Sequence, residues 1–223
     1  MASVLVGREN GAGTGDRLQA RVVENGSAAH AYPTSDALLR GERAARNLSD
    51  AVHFLCTLHG RHPGVVDHAA NRSVDPLTRR WFDEATRVFA AERAFLTRLA
   101  VAAGPVPGTP GAAGAQGALL SQRHAIETLA QSERNGCALG AALAIALDWV
   151  VIRQVIDIAG ERFGVDAAPY GLGDFDAVHT LATEAAATVA NERAILFGAE
   201  QILLQHFGLW DLLEARQQAR DAA

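Results

Sequence analysis

The chain has 223 residues, enough to bury one sizeable core without disulfides or metals to hold it together. Its formal net charge of -5 is spread without any block of like charge, which argues against a nucleic-acid backbone or an anionic membrane surface as partner. Apart from histidine every basic side chain is arginine, so chemistries that need a lysine amine, such as Walker-type phosphate loops, pyridoxal catalysis and Schiff-base aldolases, are excluded.

Residues 1–34 are rich in glycine and small polar residues and show no sustained period, so a flexible arm is expected there. Within it, Gly11-Ala-Gly13-Thr-Gly15 follows no strand pattern, which makes flexibility a better reading than a phosphate cradle. The short apolar run 3–6 is broken by Arg8 and Glu9 and does not make a signal peptide. Cys56 and Cys137 lack CxxC spacing and read as reduced core residues. Both features point to the cytoplasm.

A single helical domain is expected over 35–223. Its first helix starts at the capping residues Ser35 or Asp36 and runs to about His59, ended by Gly60, Pro63 and Gly64. The second begins at Asp75-Pro76, a cap followed by proline at the first helical position, and continues to Ala103. A glycine and proline linker occupies 104–117. The third helical region, 118–163, is too long for one straight rod, so a break is expected near Gly136 to Gly140. Its most apolar part, 137–147, reads as a central buried helix, too short and too soon followed by Asp148 and Arg153 to span a membrane. The fourth helix runs from Asp174 to about Phe207, and a short amphipathic tail follows over 209–220. With an apolar period of three to four residues and few strand signals, the fold expected is an all-α, antiparallel four- to five-helix bundle.

Helical phase places Glu92 among Leu77, Trp81, Val88, Phe95 and Leu99, and puts Glu133 and Glu192 on the apolar stripes of their own helices. Glu42 shares a face with Leu38, Ala45, Val52 and Cys56. Each glutamate is followed by an arginine: Arg43, Arg93, Arg134 and Arg193. A carboxylate on a core stripe needs a cation, a metal or a proton, since an ionised and unpaired one costs several kcal/mol. The first expectation is a set of Glu-Arg pairs between neighbouring helices that fix their register. A second is a dinuclear metal centre, and a third is a polar pocket for a small ligand.

In outline the one-per-helix carboxylates resemble the ferritin-like superfamily, which holds two iron or manganese ions with two such glutamates and two Glu-x-x-His motifs. That resemblance would make Glu42, Glu92, Glu133 and Glu192 the metal ligands, with His53 of Asp50-Ala-Val-His53 as a further candidate. The chain departs from the pattern because it contains no Glu-x-x-His, and each neighbouring arginine competes with a metal. Asp176-Ala-Val-His179 points away from Glu192, and Asp176 reads as a first-turn carboxylate favoured by the helix dipole.

His53, His59, His62 and His68 crowd the end of the first helix and the loop after it. Three histidines so close can bind zinc if the loop folds back, and the plainer reading places His59 against the helix's terminal carbonyls. The stretch LSDAVHFLCTLHGRHPGVVDHAA, together with ERAFLTRL, is similar to an uncharacterised bacterial family of helical proteins, a resemblance that implies no activity. His206, on the face of Leu203, reads as a satisfied core histidine, and Asp148 and Asp157, beyond the expected break, read as exposed polar positions, with second-site carboxylates as the alternative. Gly136 and Gly140 allow close approach of another helix. Leu209, Trp210, Leu212 and Leu213 in the tail need a surface to cover, from which a homo-oligomer is expected.

The function these features point to is a non-catalytic helical-bundle protein acting by protein interaction or small-ligand binding, without a cofactor. The alternative is an oxidase or oxygenase with two carboxylate-bridged iron or manganese ions.

Overall fold

A computed structural model describes residues 12–223, and among them all regular structure is helical. The helices are α1 (Thr14–Asn25), α2 (Asp36–Leu39), α3 (Ala44–His59), α4 (Val65–Arg72), α5 (Pro76–Ala103), α6 (Ala112–Ala130), α7 (Cys137–Phe163), α8 (Phe175–Ala185) and α9 (Val189–Asp221). Two single 3-10 turns, Ser27–Ala29 and Tyr32–Thr34, join α1 to α2.

Local chemistry sets most of these starts. Ser35 accepts the Leu38 N–H at 3.2 Å, and Asp75 accepts the Thr78 N–H at 2.8 Å with Pro76 at the first helical position, as expected. Gly136, with φ of 95°, ends the connection after α6 and allows α7 to start at Cys137, within the break expected from sequence.

Helix α7 is the centre of the fold and touches α1, α3, α4, α5, α6, α8 and α9. It is the one described helix long and apolar enough to cross a membrane, but most of that apolar stretch is buried within the protein. Its main partner is α9. The two approach so closely that a Cβ at Gly140 would fall on the Ile195 carbonyl, and one at Gly198 on the Cys137 carbonyl. Small residues here set the interhelical distance.

Several expectations are corrected. Of the expected arm, 1–11 lies outside the described residues, whereas α1 is a packed helix with Leu18 and Val22 buried against α8 and α9. Gly15 is needed for close approach, because a Cβ there would overlap His179, and the Gly13 N–H is capped by Asp16 Oδ2 at 2.8 Å. The linker is shorter than 104–117, since Gly111 turns the chain at φ of 73° and α6 starts at Ala112. Alanine at positions 112, 113 and 115 outweighs the glycines beside it. The histidine-rich loop holds α4, and Thr188, capping Asn191 N–H at 3.1 Å, separates α8 from α9. Gly208 ends nothing, because α9 runs on through it to Asp221.

The apolar tail closes the protein's own core. Leu209, Trp210 and Leu213 are fully buried, so the feature that suggested an oligomer has its partners within the chain.

Candidate functional site

The structure separates the four glutamates. Glu42 is exposed in the turn between α2 and α3, and Glu133 is exposed in the connection between α6 and α7. Glu192 lies in the first turn of α9 and meets Arg17 of α1 at 2.6 Å. Only Glu92 is buried within a helix. The assumption that failed was continuous helical phase: three of the four Glu-Arg pairs stand at or just before helix starts, where acidic side chains suit the helix dipole. Even on α5 the buried face runs through Phe82, Ala85, Phe89, Glu92, Leu96 and Leu99, leaving Leu77 exposed and Trp81 and Val88 partly so.

Glu92 does find an arginine on a neighbouring helix. Its Oε1 accepts from Arg153 at 2.7 Å and its Oε2 from the Trp149 indole N–H at 2.8 Å. Burial pushes its carboxyl up, and the bond from Trp149 and the charge of Arg153 pull it back. Arg153 also donates to Asp157 at 2.7 Å and stacks on Phe95 at 5.2 Å. This is an internal clamp between α5 and α7.

A second clamp holds α9 on α3. The buried Asp50 accepts from Arg216 Nε at 3.1 Å and Nη2 at 2.8 Å, a fork geometry, and also from Arg220. Arg216 reaches the Pro107 carbonyl at 3.1 Å and Arg220 the Thr109 hydroxyl at 2.8 Å, so both tie down the Gly/Pro linker. His53, expected as a metal ligand, bonds the Gly104 carbonyl through Nε2 at 2.8 Å instead. Among the described residues no three His, Cys, Asp or Glu side chains are grouped to hold a metal ion.

The third polar cluster has a different character. Asp148 of α7 is buried, not exposed, and accepts the Ser27 N–H at 2.6 Å and the Ser27 hydroxyl at 2.7 Å. His206 of α9 places Nδ1 at 2.6 Å from the same carboxylate, and its Nε2 lies 3.0 Å from His59 Nε2. The Trp210 indole N–H donates to Ser27 Oγ at 2.9 Å, which commits the hydroxyl proton to Asp148. His206 is the satisfied core histidine that the sequence suggested.

His59 lines a cavity of about 290 Å³. Leu58, Val66, Phe89 and Ile126 form apolar wall, and Arg61, His62, His68, Arg93 and Glu127 supply the polar side. Arg93 is held by Asp67 at 2.9 Å, while Arg61 stands 3.9 Å from Glu127. The histidine-rich corner is therefore a cavity mouth: His59 turns inward to His206 and Trp149, and His62 approaches Asp67 at 3.4 Å. Burial holds the His59 imidazole well below the usual histidine range, helped by the neighbouring His206.

Sequence reasoning noticed the histidines but missed that Asp148 joins them. The signal available was an aspartate within the most apolar helix of the chain, a position where an unpartnered carboxylate is costly.

Residues 22–221 match the model of a family of unknown function. The chain belongs to the family DUF6975. No curated protein and no solved structure matches it. The match takes in every residue of the three polar clusters, so each falls within the DUF6975 domain.

Proposed function

We propose that this DUF6975 protein is a non-catalytic helical-bundle protein of the cytoplasm that binds a small ligand in the His59 cavity, with buried Glu-Arg and Asp-Arg pairs setting helix register. The observation that carries this reading is the cavity itself. It is close to the lower size of small-molecule sites, largely apolar in its wall, and provided with a few convergent polar groups. An antiparallel arrangement of the principal helices is supported by α3 and α9: early Asp50 meets late Arg216, and late His59 meets the earlier His206. Register-setting is supported by Glu92–Arg153 and Asp50–Arg216, which fix α5 on α7 and α3 on α9.

The test is a thermal-shift screen of small organic acids, bases and neutral compounds on wild type and on Val66→Phe, which fills the cavity. Compounds that raise the melting temperature of wild type and leave the variant unmoved are the expected result. Stabilisation that is equal in both, or found with no compound, overturns the reading.

A further inference from the structure

The direction of each hydrogen bond that ends on Asp148 can be assigned, and that of the His206–His59 contact follows from the charge of the pair. Trp210 only donates, so Ser27 Oγ accepts from it and gives its own proton to Asp148. Asp148 therefore receives three bonds, and His206 must present Nδ1–H to it. In a neutral His206 the other nitrogen, Nε2, is an acceptor, and its neighbour is His59 Nε2. With the pair uncharged, His59 then carries its proton on Nε2, and its Nδ1 is left with a lone pair. If the pair gains one proton the chain reverses: His206 donates through both nitrogens, His59 Nε2 accepts, and His59 Nδ1 becomes a donor.

We propose that the ligand of this cavity is a small amphipathic carboxylic acid, bound as its anion with uptake of one proton by the His59–His206 pair. The proposal rests on the small-ligand reading above and names the ligand's class. In the exchange the acid's O–H bond breaks and an N–H bond forms at His59 Nδ1, while the His59 Nε2 proton passes to His206 Nε2. The charge comes to rest beside Asp148. Since such acids are ionised in neutral water, the net event is binding of the anion with one proton drawn from solution.

Charge and shape favour this class. The groups around His59 are Arg61 and His62 of the following loop, Asp67 and His68 of α4, Arg93 of α5 with Glu92 reached through Trp149, Glu127 and Arg123 of α6, Asp148 of α7 and His206 of α9. Glu92 is neutralised by Arg153, Asp67 lies behind Arg93, and Glu127 is shared by Arg61 and Arg123. The two cavity-lining guanidinium groups are thus each met by one carboxylate, so what the polar side adds for an anion is the three imidazoles of His59, His62 and His68, and the wall of Leu58, Val66, Phe89 and Ile126 suits a hydrocarbon or aromatic body. In the free protein, where burial and the neighbouring His206 hold the His59 imidazole well below the usual histidine range, its Nδ1 lone pair is the place for the proton.

The probe is sodium benzoate, titrated calorimetrically into the full chain in phosphate and in Tris near pH 7.5. Uptake of about one proton is expected, seen as a buffer-dependent heat, with affinity rising about tenfold for each unit of pH lowered. His59→Gln is expected to bind benzoate without proton uptake. In the free wild-type protein, nitrogen-detected NMR of the histidine rings should find His206 as the Nδ1–H tautomer, a readout that needs no ligand. Benzoate binding without proton uptake, or His206 found as the Nε2–H tautomer, overturns the proposal. Stabilisation by amines or neutral compounds but not by benzoate overturns it while leaving the small-ligand reading intact, whereas failure of every compound removes both.

Discussion

Helices α3 and α9 meet at two polar clusters of opposite character. Nearer the C-terminal end of α9, Asp50 is enclosed by Arg216 and Arg220, all three buried, and the remaining guanidinium bonds go to the linker and, from Arg220, to the Asn47 side chain of α3. Farther back, His206 and His59 join Asp148 to a cavity. The first cluster is held by guanidinium groups, which stay charged at any ordinary pH, and the second is built around imidazoles, whose charge depends on pH. A clamp of permanent charges and an adjustable chain thus hold the same pair of helices, and the adjustable one adjoins the His59 cavity.

The difference can be broken from either side. Asp50→Ala leaves two arginines buried without their carboxylate, and urea unfolding should show a loss of about 3–5 kcal/mol. Ser27→Ala removes the acceptor of the Trp210 indole and one of the bonds to Asp148, for an expected loss of about 1–3 kcal/mol.

Acidity separates the clusters further. Because the folded-state affinity of His59 for protons lies below that of the unfolded chain, the unfolded state binds more protons once pH falls under about 6.5. Stability should therefore hold above that pH and decline below it, and His59→Gln should flatten the decline between about pH 7 and 5.5 in the same urea measurement. At the small end, Arg17→Ala breaks a half-exposed pair with Glu192 and should cost no more than about 1 kcal/mol, far less than the Asp50 clamp.

What sequence reveals here follows the range of the interactions. Helix α5 was legible to the residue because its boundaries are local, an Asp75-Pro76 start and a glycine stop at Gly104. The α8–α9 break was not, since Ala185, Ala186 and Ala187 continue a helical composition and only Thr188 interrupts it. That one break moved Glu192 from a supposed core stripe to a first turn. Glu92 was legible as a buried carboxylate, but its partner Arg153 lies 61 positions away, and no local period announces it. Asp148 and His206 are likewise 58 positions apart, and Ser27 lay in a segment whose glycines imitate a tether.

Ser27 has a consequence for how the protein could be shortened. It contributes two of the three bonds to a carboxylate sealed inside α7, from a turn that follows α1. A truncation that trims the glycine-rich beginning through residue 27 would remove more than a covering helix. It would strip a buried carboxylate of its nearest donors and leave His206 to compensate alone, so the group that orients the His206 ring is itself held by a segment that composition would mark as dispensable.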